Sequence, residues 1–138
     1  MLATKVKEQL QNQFNNSIDK IDITTVKETV QNGLKKLNEL NDRYGIIDDS
    51  FNDIKLMVSL LNDYVRGNYK EIPWKTIAAL TVTVIYFVSP ASKVMKFIPQ
   101  KQKYVIDLAL FLCQKELQTY KTWKESINAE VSVELVAK

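Results

Sequence analysis

The stretch Trp74-Lys75-Thr76-Ile77-Ala78-Ala79-Leu80-Thr81-Val82-Thr83-Val84-Ile85-Tyr86-Phe87-Val88, preceded by Pro73 and closed by Ser89-Pro90, decides the fold. Pro73 fixes φ where a helix can begin, and Pro90 stops the same helix, because proline has no amide hydrogen to donate and clashes with the preceding turn. Apolar residues lie on nearly every face of the helix so delimited, so protein or lipid must surround it. Crossing a bilayer takes about 20 consecutive apolar residues. This run is shorter, places Lys75 one residue inside its start and contains Thr76, Thr81 and Thr83. It is expected as the central core helix of a soluble bundle.

Helical spacing recurs on both sides of it. Over residues 2–16, Leu2, Val6, Leu10 and Phe14 fall every fourth position, a narrow stripe that docks on the bundle or completes a homo-oligomer. Thr25-Val26-Lys27-Glu28 has the spacing of a capping box, so a second helix is expected to start there. Its apolar face reads Val26, Val30, Leu34, Leu37 and Leu40; Gly33 weakens its middle and Gly45 closes it. Asp48, Asp49 or Ser50 can cap a third helix, in which Phe51, Ile54, Met57, Val58, Leu61, Tyr64 and Val65 repeat until Gly67. After a turn over residues 92–97, a fifth helix over residues 101–127 carries Tyr104, Val105, Leu108, Phe111, Leu112, Leu117, Tyr120 and Trp123; its first half is apolar on a wide face, and its second half is expected to be amphipathic and exposed. The alternation from Glu130 through Val136 reads as a short strand or a frayed end. The expected architecture is all-α: one compact domain over residues 1–128, a bundle of about five helices, and a flexible tail over residues 129–138. Residues 1–48 supply its amino-terminal helices.

Composition narrows the function. A hydrophobic content of 46% with 3 Gly and 3 Pro, in 138 residues, excludes a disordered chain and a turn-rich β protein. Nineteen basic against sixteen acidic residues leave a net charge of +3, and Arg43 and Arg66 are the only arginines, so nucleic acid is not an expected partner. The single cysteine, Cys113, excludes an internal disulfide and fits the reducing cytoplasm. The first residues, Met1-Leu2-Ala3-Thr4-Lys5-Val6-Lys7-Glu8, do not read as a secretory signal.

Catalytic groups are sparse. With no histidine the chain lacks the commonest general base and transition-metal ligand. Cys113 sits in Leu110-Phe111-Leu112-Cys113, surroundings that keep a thiol protonated. Asp48, Asp49 and Asp53 form the densest carboxylate group, but acids at a helix start act as caps, and they lack the central glycine and final glutamate of a calcium loop. Gly33, Gly45 and Gly67 are too far apart to cradle a phosphate. The expectation is no enzyme, no cofactor and no metal. An enzymatic reading would need Asp48, Asp49, Asp53, Asp63 and Glu71 gathered around one pocket.

Asp63-Tyr64, Gly67, Tyr69, Ile72-Pro73-Trp74, Tyr86, Ser89-Pro90 and Phe97-Ile98-Pro99 together resemble the YkvA-like family, small bacterial helical domains, over residues 56–123. The resemblance implies a helical fold and no defined activity. The chain departs from the family at its turn: Ser92 and Lys96 stand where the family has aspartates, and Gln100-Lys101-Gln102-Lys103 replaces a glycine followed by paired acids. The resulting cluster of Lys93, Lys96, Lys101 and Lys103, with Met95, Phe97 and Tyr104 as apolar anchors, is the candidate partner site. Such a site suits the acidic surface of a cognate protein. Small bacterial chains without catalytic groups are often immunity proteins or antitoxins, and that analogy gives the expected class. The alternative is a protein peripheral to the inner face of a membrane, with the hairpin over residues 74–99 and these lysines on anionic headgroups.

Overall fold

The computed structural model describes residues 2–44, 49–88 and 100–137. They form α1 (Thr4–Ile18), α2 (Ile23–Tyr44), α3 (Asp49–Arg66), α4 (Trp74–Phe87) and α5 (Gln100–Ala137), an all-α bundle. No strand occurs among the described residues, and the alternating segment after residue 129 is helical backbone within α5. Among the described residues no helix is long and apolar enough to cross a membrane.

The α4 helix is the axis of the bundle. It packs against α1, α2, α3 and α5, and residues 76–84 are all buried. Its threonines stay there because each hydroxyl has an acceptor. Thr81 Oγ1 donates to the Ile77 carbonyl at 2.7 Å, Thr83 Oγ1 to the Ala79 carbonyl at 2.8 Å, and Thr76 Oγ1 to Glu116 Oε1 at 3.1 Å. Near the C-terminal end, where helix carbonyls run out of amide donors, the Tyr86 carbonyl accepts from the Gln102 side chain. The pairs Thr76 with Glu116 and Tyr86 with Gln102 set α5 antiparallel to α4.

The narrow stripe of α1 docks within the same chain: Leu10, Phe14 and Ile18 are buried where α1 meets α4 and α5. Each such burial contributes about 2 kcal/mol relative to exposure.

Two helix ends differ in how well the sequence reported them. The cap of α2 is Asp22, not Thr25 as the capping-box spacing suggested: Asp22 Oδ1 accepts from the Thr25 amide and from Thr25 Oγ1, both at 2.8 Å. The Thr25 amide hydrogen bond, the larger effect, and the Thr25 hydroxyl hold the Asp22 carboxyl below the usual range. At the end of α3, Gly67 takes φ 82°, as its position implied, and the chain closes by two backbone bonds, Gly67 N to the Tyr64 carbonyl at 3.1 Å and Asn68 N to the Asp63 carbonyl at 2.9 Å. This is the Schellman arrangement, which needs a left-handed residue at the first position past the helix. The expected closure at Gly45, the Asp48 cap and the Ser89-Pro90 turn lie outside the described residues.

The core face of α2 also departs from the expectation. Val26, Val30, Leu37 and Leu40 are buried as expected, but Leu34 is exposed. Gly33 takes its place facing the core, and a Cβ built there would lie 3.0 Å from Val58 Cγ2 and 3.1 Å from Val84 Cγ1. At Gly33, then, α2 packs against α3 and α4 with no room for a side chain.

Candidate functional site

The α5 helix presents two unlike faces to its surroundings. Gln102, Val105, Ile106, Ala109, Cys113, Leu117 and Tyr120 are buried, spaced by three and four residues as the inner stripe of a helix requires. On the opposite side, at roughly 100° per residue, Tyr104, Leu108, Phe111 and Lys115 fall along one line. Phe111 is 73% exposed and Leu112, beside it, 51%. The sequence reading puts both on one wide apolar face and leaves the second half of the helix exposed, whereas the structure exposes Phe111 and Leu112 and buries Leu117 and Tyr120. The rotation of the two stripes explains the difference: the helix carries apolar residues on more faces than α3 and α4 can cover.

Of the residues expected to bind a partner, Lys101 and Lys103 are exposed on the first turns of α5. Tyr104 is half-buried, and Lys7 Nζ of α1 lies 5.9 Å from its ring centroid. Lys93, Met95, Lys96 and Phe97 lie outside the described residues. Three of the seven expected site residues therefore sit on one end of α5; Tyr104 shares the outer line of Phe111, whereas Lys101, Lys103 and Leu112 flank that line, and sequence reasoning missed Phe111 and Leu112 as site residues. The signal available for them was the second apolar stripe, displaced from the first.

A second cluster joins the end of α3 to α5. Asp63 is buried, and its Oδ2 accepts from Tyr120 Oη at 2.5 Å and Lys124 Nζ at 2.9 Å, while Oδ1 accepts from Asn68 Nδ2 at 3.4 Å. Because the Tyr120 hydroxyl donates to Asp63, the Ser59 hydroxyl donates to it, at 2.5 Å. Tyr69 packs edge-on against Tyr120 with ring centroids 5.2 Å apart and lies 4.8 Å from Trp123. Burial alone would push the Asp63 carboxyl up; the hydrogen bonds from Tyr120, Lys124 and Asn68 outweigh it and hold the group below its usual range. Burial, then the bond to Asp63, raises the Tyr120 hydroxyl, and burial raises Tyr69. Asp63 and Tyr69 thus meet at Tyr120 in one structural latch, which begins where Gly67 closes α3.

The sign of the pH effect follows from that direction. A carboxyl depressed in the folded state stabilises it above the unfolded value of about 3.9, and the contribution fades as pH falls through the folded value. Asp63→Asn is expected to be less stable than the parent protein at about pH 6, with the gap narrowing at about pH 3. Urea midpoints at both values measure it; an unchanged gap would show that the carboxylate charge is not what the latch uses.

No family model, curated protein or solved structure matches this chain. What the chain can do rests on its own geometry. Among the described residues no three His, Cys, Asp or Glu side chains gather where they could hold a metal ion. Of the carboxylates of the enzymatic reading, Asp63 is engaged in the latch and Glu71 is exposed, while the Asp48 and Asp49 side chains lie outside the described ones.

A pocket of about 360 Å³ opens between α1, the start of α4 and the middle of α5. Ile18, Ala79 and Leu112 give it apolar walls, and Asn15, Lys75 and Glu116 bring polar groups to it. Cys113 also lines it; burial, and then the Glu116 charge, pushes its thiol up to about 11, so it packs as a neutral group at physiological pH.

Proposed function

We propose that this chain is a non-enzymatic, protein-binding helical domain whose working surface is the outer face of α5, and that its partner is a cognate protein with an acidic patch. The observation that carries the reading is Phe111, 73% exposed beside a half-exposed Leu112. Large apolar side chains clustered on a surface and rimmed by polar groups mark interaction sites, and aromatic residues are preferred anchors. The rim is cationic on balance: Lys101, Lys103 and Lys115 are exposed on the same helix, against the exposed Asp107 one turn before Phe111. Such a rim steers and orients an acidic partner and discriminates against a basic one. Lys93, Met95, Lys96 and Phe97 join the proposal from the sequence alone. The immunity-protein or antitoxin class remains the proposed biological setting, by analogy with small bacterial helical chains, and the YkvA-like resemblance and a cytoplasmic location belong to the same proposal.

Anionic lipid would also suit a cationic rim around an apolar centre. The α5 face reaches such a surface without rearrangement, whereas α4, packed on by four helices, would have to leave the core to enter a bilayer.

The experiment is site-specific photo-crosslinking in native cells, with benzoylphenylalanine in place of Phe111 and, as control, in place of the exposed Lys27 on α2. A soluble acidic protein captured from position 111, absent at position 27, and lost when Lys93, Lys96, Lys101 and Lys103 are all changed to Glu, is the expected result. Charge reversal at an interface rim is expected to weaken binding by about tenfold or more, mainly through slower association. Capture that ignores the reversal overturns the site, and flotation of the protein with phosphatidylserine vesicles in place of protein capture transfers the surface to lipid.

A further inference from the structure

We propose that the pocket between α1, α4 and α5 binds a small zwitterion with an apolar side chain, an amino acid or a compound of that class. Its volume of about 360 Å³ falls within the range of small-molecule sites and exceeds what a few waters need. The walls are mostly apolar, through Ile18, Ala79 and Leu112, and converge on a few polar groups, the composition of a ligand site.

The polar groups set the ligand class. Glu116 is half-buried, and its Oε1 is fixed by the hydroxyl of Thr76, itself 6% exposed. Its other oxygen has no hydrogen bond and Glu116 no ion pair among the described residues. An oriented, partly desolvated carboxylate is suited to an ammonium group, and charge-assisted hydrogen bonds of this kind are the stronger ones. Lys75, exposed at the rim of the same pocket, likewise has no ion-pair partner among the described residues. A ligand bearing only an amine would leave Lys75 facing a like charge, and one bearing only a carboxylate would place it near Glu116. A zwitterion answers both. The Asn15 amide, with one acceptor and two donors, serves either end, and the ligand side chain lies on Ile18, Ala79 and Leu112. A direct bond between Lys75 and Glu116 would compete only weakly, since exposed lysine-carboxylate pairs are worth little.

This inference shares only Leu112 with the α5 docking surface, and its test at Lys75 and Glu116 reads the pocket independently of that surface. The test is titration of the full chain with L-valine, L-leucine and L-phenylalanine, followed by amide chemical shifts at Lys75, Thr76, Cys113 and Glu116. Saturable shifts with at least one of them are expected at millimolar concentration or below. For leucine the controls are 3-methylbutylamine, which lacks the carboxylate, and 4-methylpentanoate, which lacks the ammonium; each is expected to bind about tenfold or more weakly than the zwitterion. Glu116→Gln should weaken leucine by a similar factor while leaving 4-methylpentanoate unchanged or improved, and Lys75→Ala should do the reverse, weakening leucine and sparing the amine. Both positions lie outside the buried core, so the variants are expected to fold, and their amide spectra report it. No saturable shift with any of the three amino acids overturns the proposal, as does binding of either analogue equal to that of leucine.

Discussion

Tyr120→Ala is expected to lower the stability of the protein by about 4 kcal/mol, a change on the order of 15 °C in Tm. The residue is fully buried, and its ring packs against Tyr69 and Trp123. Truncation leaves a cavity, and cavities left by aromatic residues lie at the upper end of core substitutions. It also strips Asp63 of its shortest hydrogen bond and leaves the Ser59 hydroxyl without this partner. Tyr120→Phe separates the two effects, keeping the ring and removing the hydroxyl, and should cost about 1–3 kcal/mol, the range for leaving a buried acceptor short of a donor. A double-mutant cycle between Tyr120→Phe and Asp63→Ala should then return a coupling of at least about 1 kcal/mol, because the two groups are in direct contact. Chemical denaturation of the four proteins settles the matter: additive losses would mean that Tyr120 acts by packing alone and that the latch is incidental.

The latch also shows what the sequence could and could not say. Asp63, Gly67 and Tyr69 stand out in the chain as a pattern, and Gly67 declares its own role because a helix ending on a left-handed residue favours glycine. The partners of Asp63 do not declare themselves. Tyr120 and Lys124 lie 57 and 61 positions away, and no local periodicity ties them to α3. The capping residue of α2 was missed for a smaller reason: Asp22 and Thr25 both suit a cap, and only the backbone reveals that Asp22 holds the Thr25 amide. The architecture was legible because α4 is apolar all round and bounded by prolines. Which face of α5 would stay uncovered was not, since Phe111 and Leu112 are as apolar as Val105 and Ile106, and burial is decided by which side α1, α3 and α4 pack on.

That uncovered face bears on the function. Phe111 lies within the stretch of α5 that runs beside α4, between the contacts of Gln102 and Glu116, so its exposure comes from the side of the helix it occupies. Exposing Phe111 costs the folded state the burial it would otherwise gain, about 2 kcal/mol. An interface would recover that burial, and the lysines on the same helix restrict which surfaces can provide it.

Gly33→Val is the second large effect, with an expected loss of about 3 kcal/mol. The sign matters more than the size. Judged by helix propensity alone, replacing a mid-helix glycine by valine should stabilise the protein by a few tenths of a kcal/mol, because glycine is the poorest helix former after proline. Judged by packing, it should destabilise, since even the first carbon added meets Val58 Cγ2 at 3.0 Å and Val84 Cγ1 at 3.1 Å, and both neighbours are buried in the core. Overpacking of a close-packed interior typically costs 1–3 kcal/mol, and the two further methyl groups of valine place this site at the upper end. Alanine falls between the opposed effects: it gains up to about 1 kcal/mol of propensity and meets the same two contacts, so it should be close to neutral. If the close approach of α2 is the cause, removing one neighbour must relieve it. Val58→Ala, destabilising in the parent protein, should therefore restore part of the stability lost in Gly33→Val, with a favourable coupling of at least about 1 kcal/mol. Thermal and urea unfolding of the single and double variants give the answer directly. A Gly33→Val protein as stable as the parent would place α2 farther from α3 and α4 than 3.0 Å allows, whereas a large loss relieved at Val58 would identify Gly33 as the residue that lets the amino-terminal helices close on the α4 core.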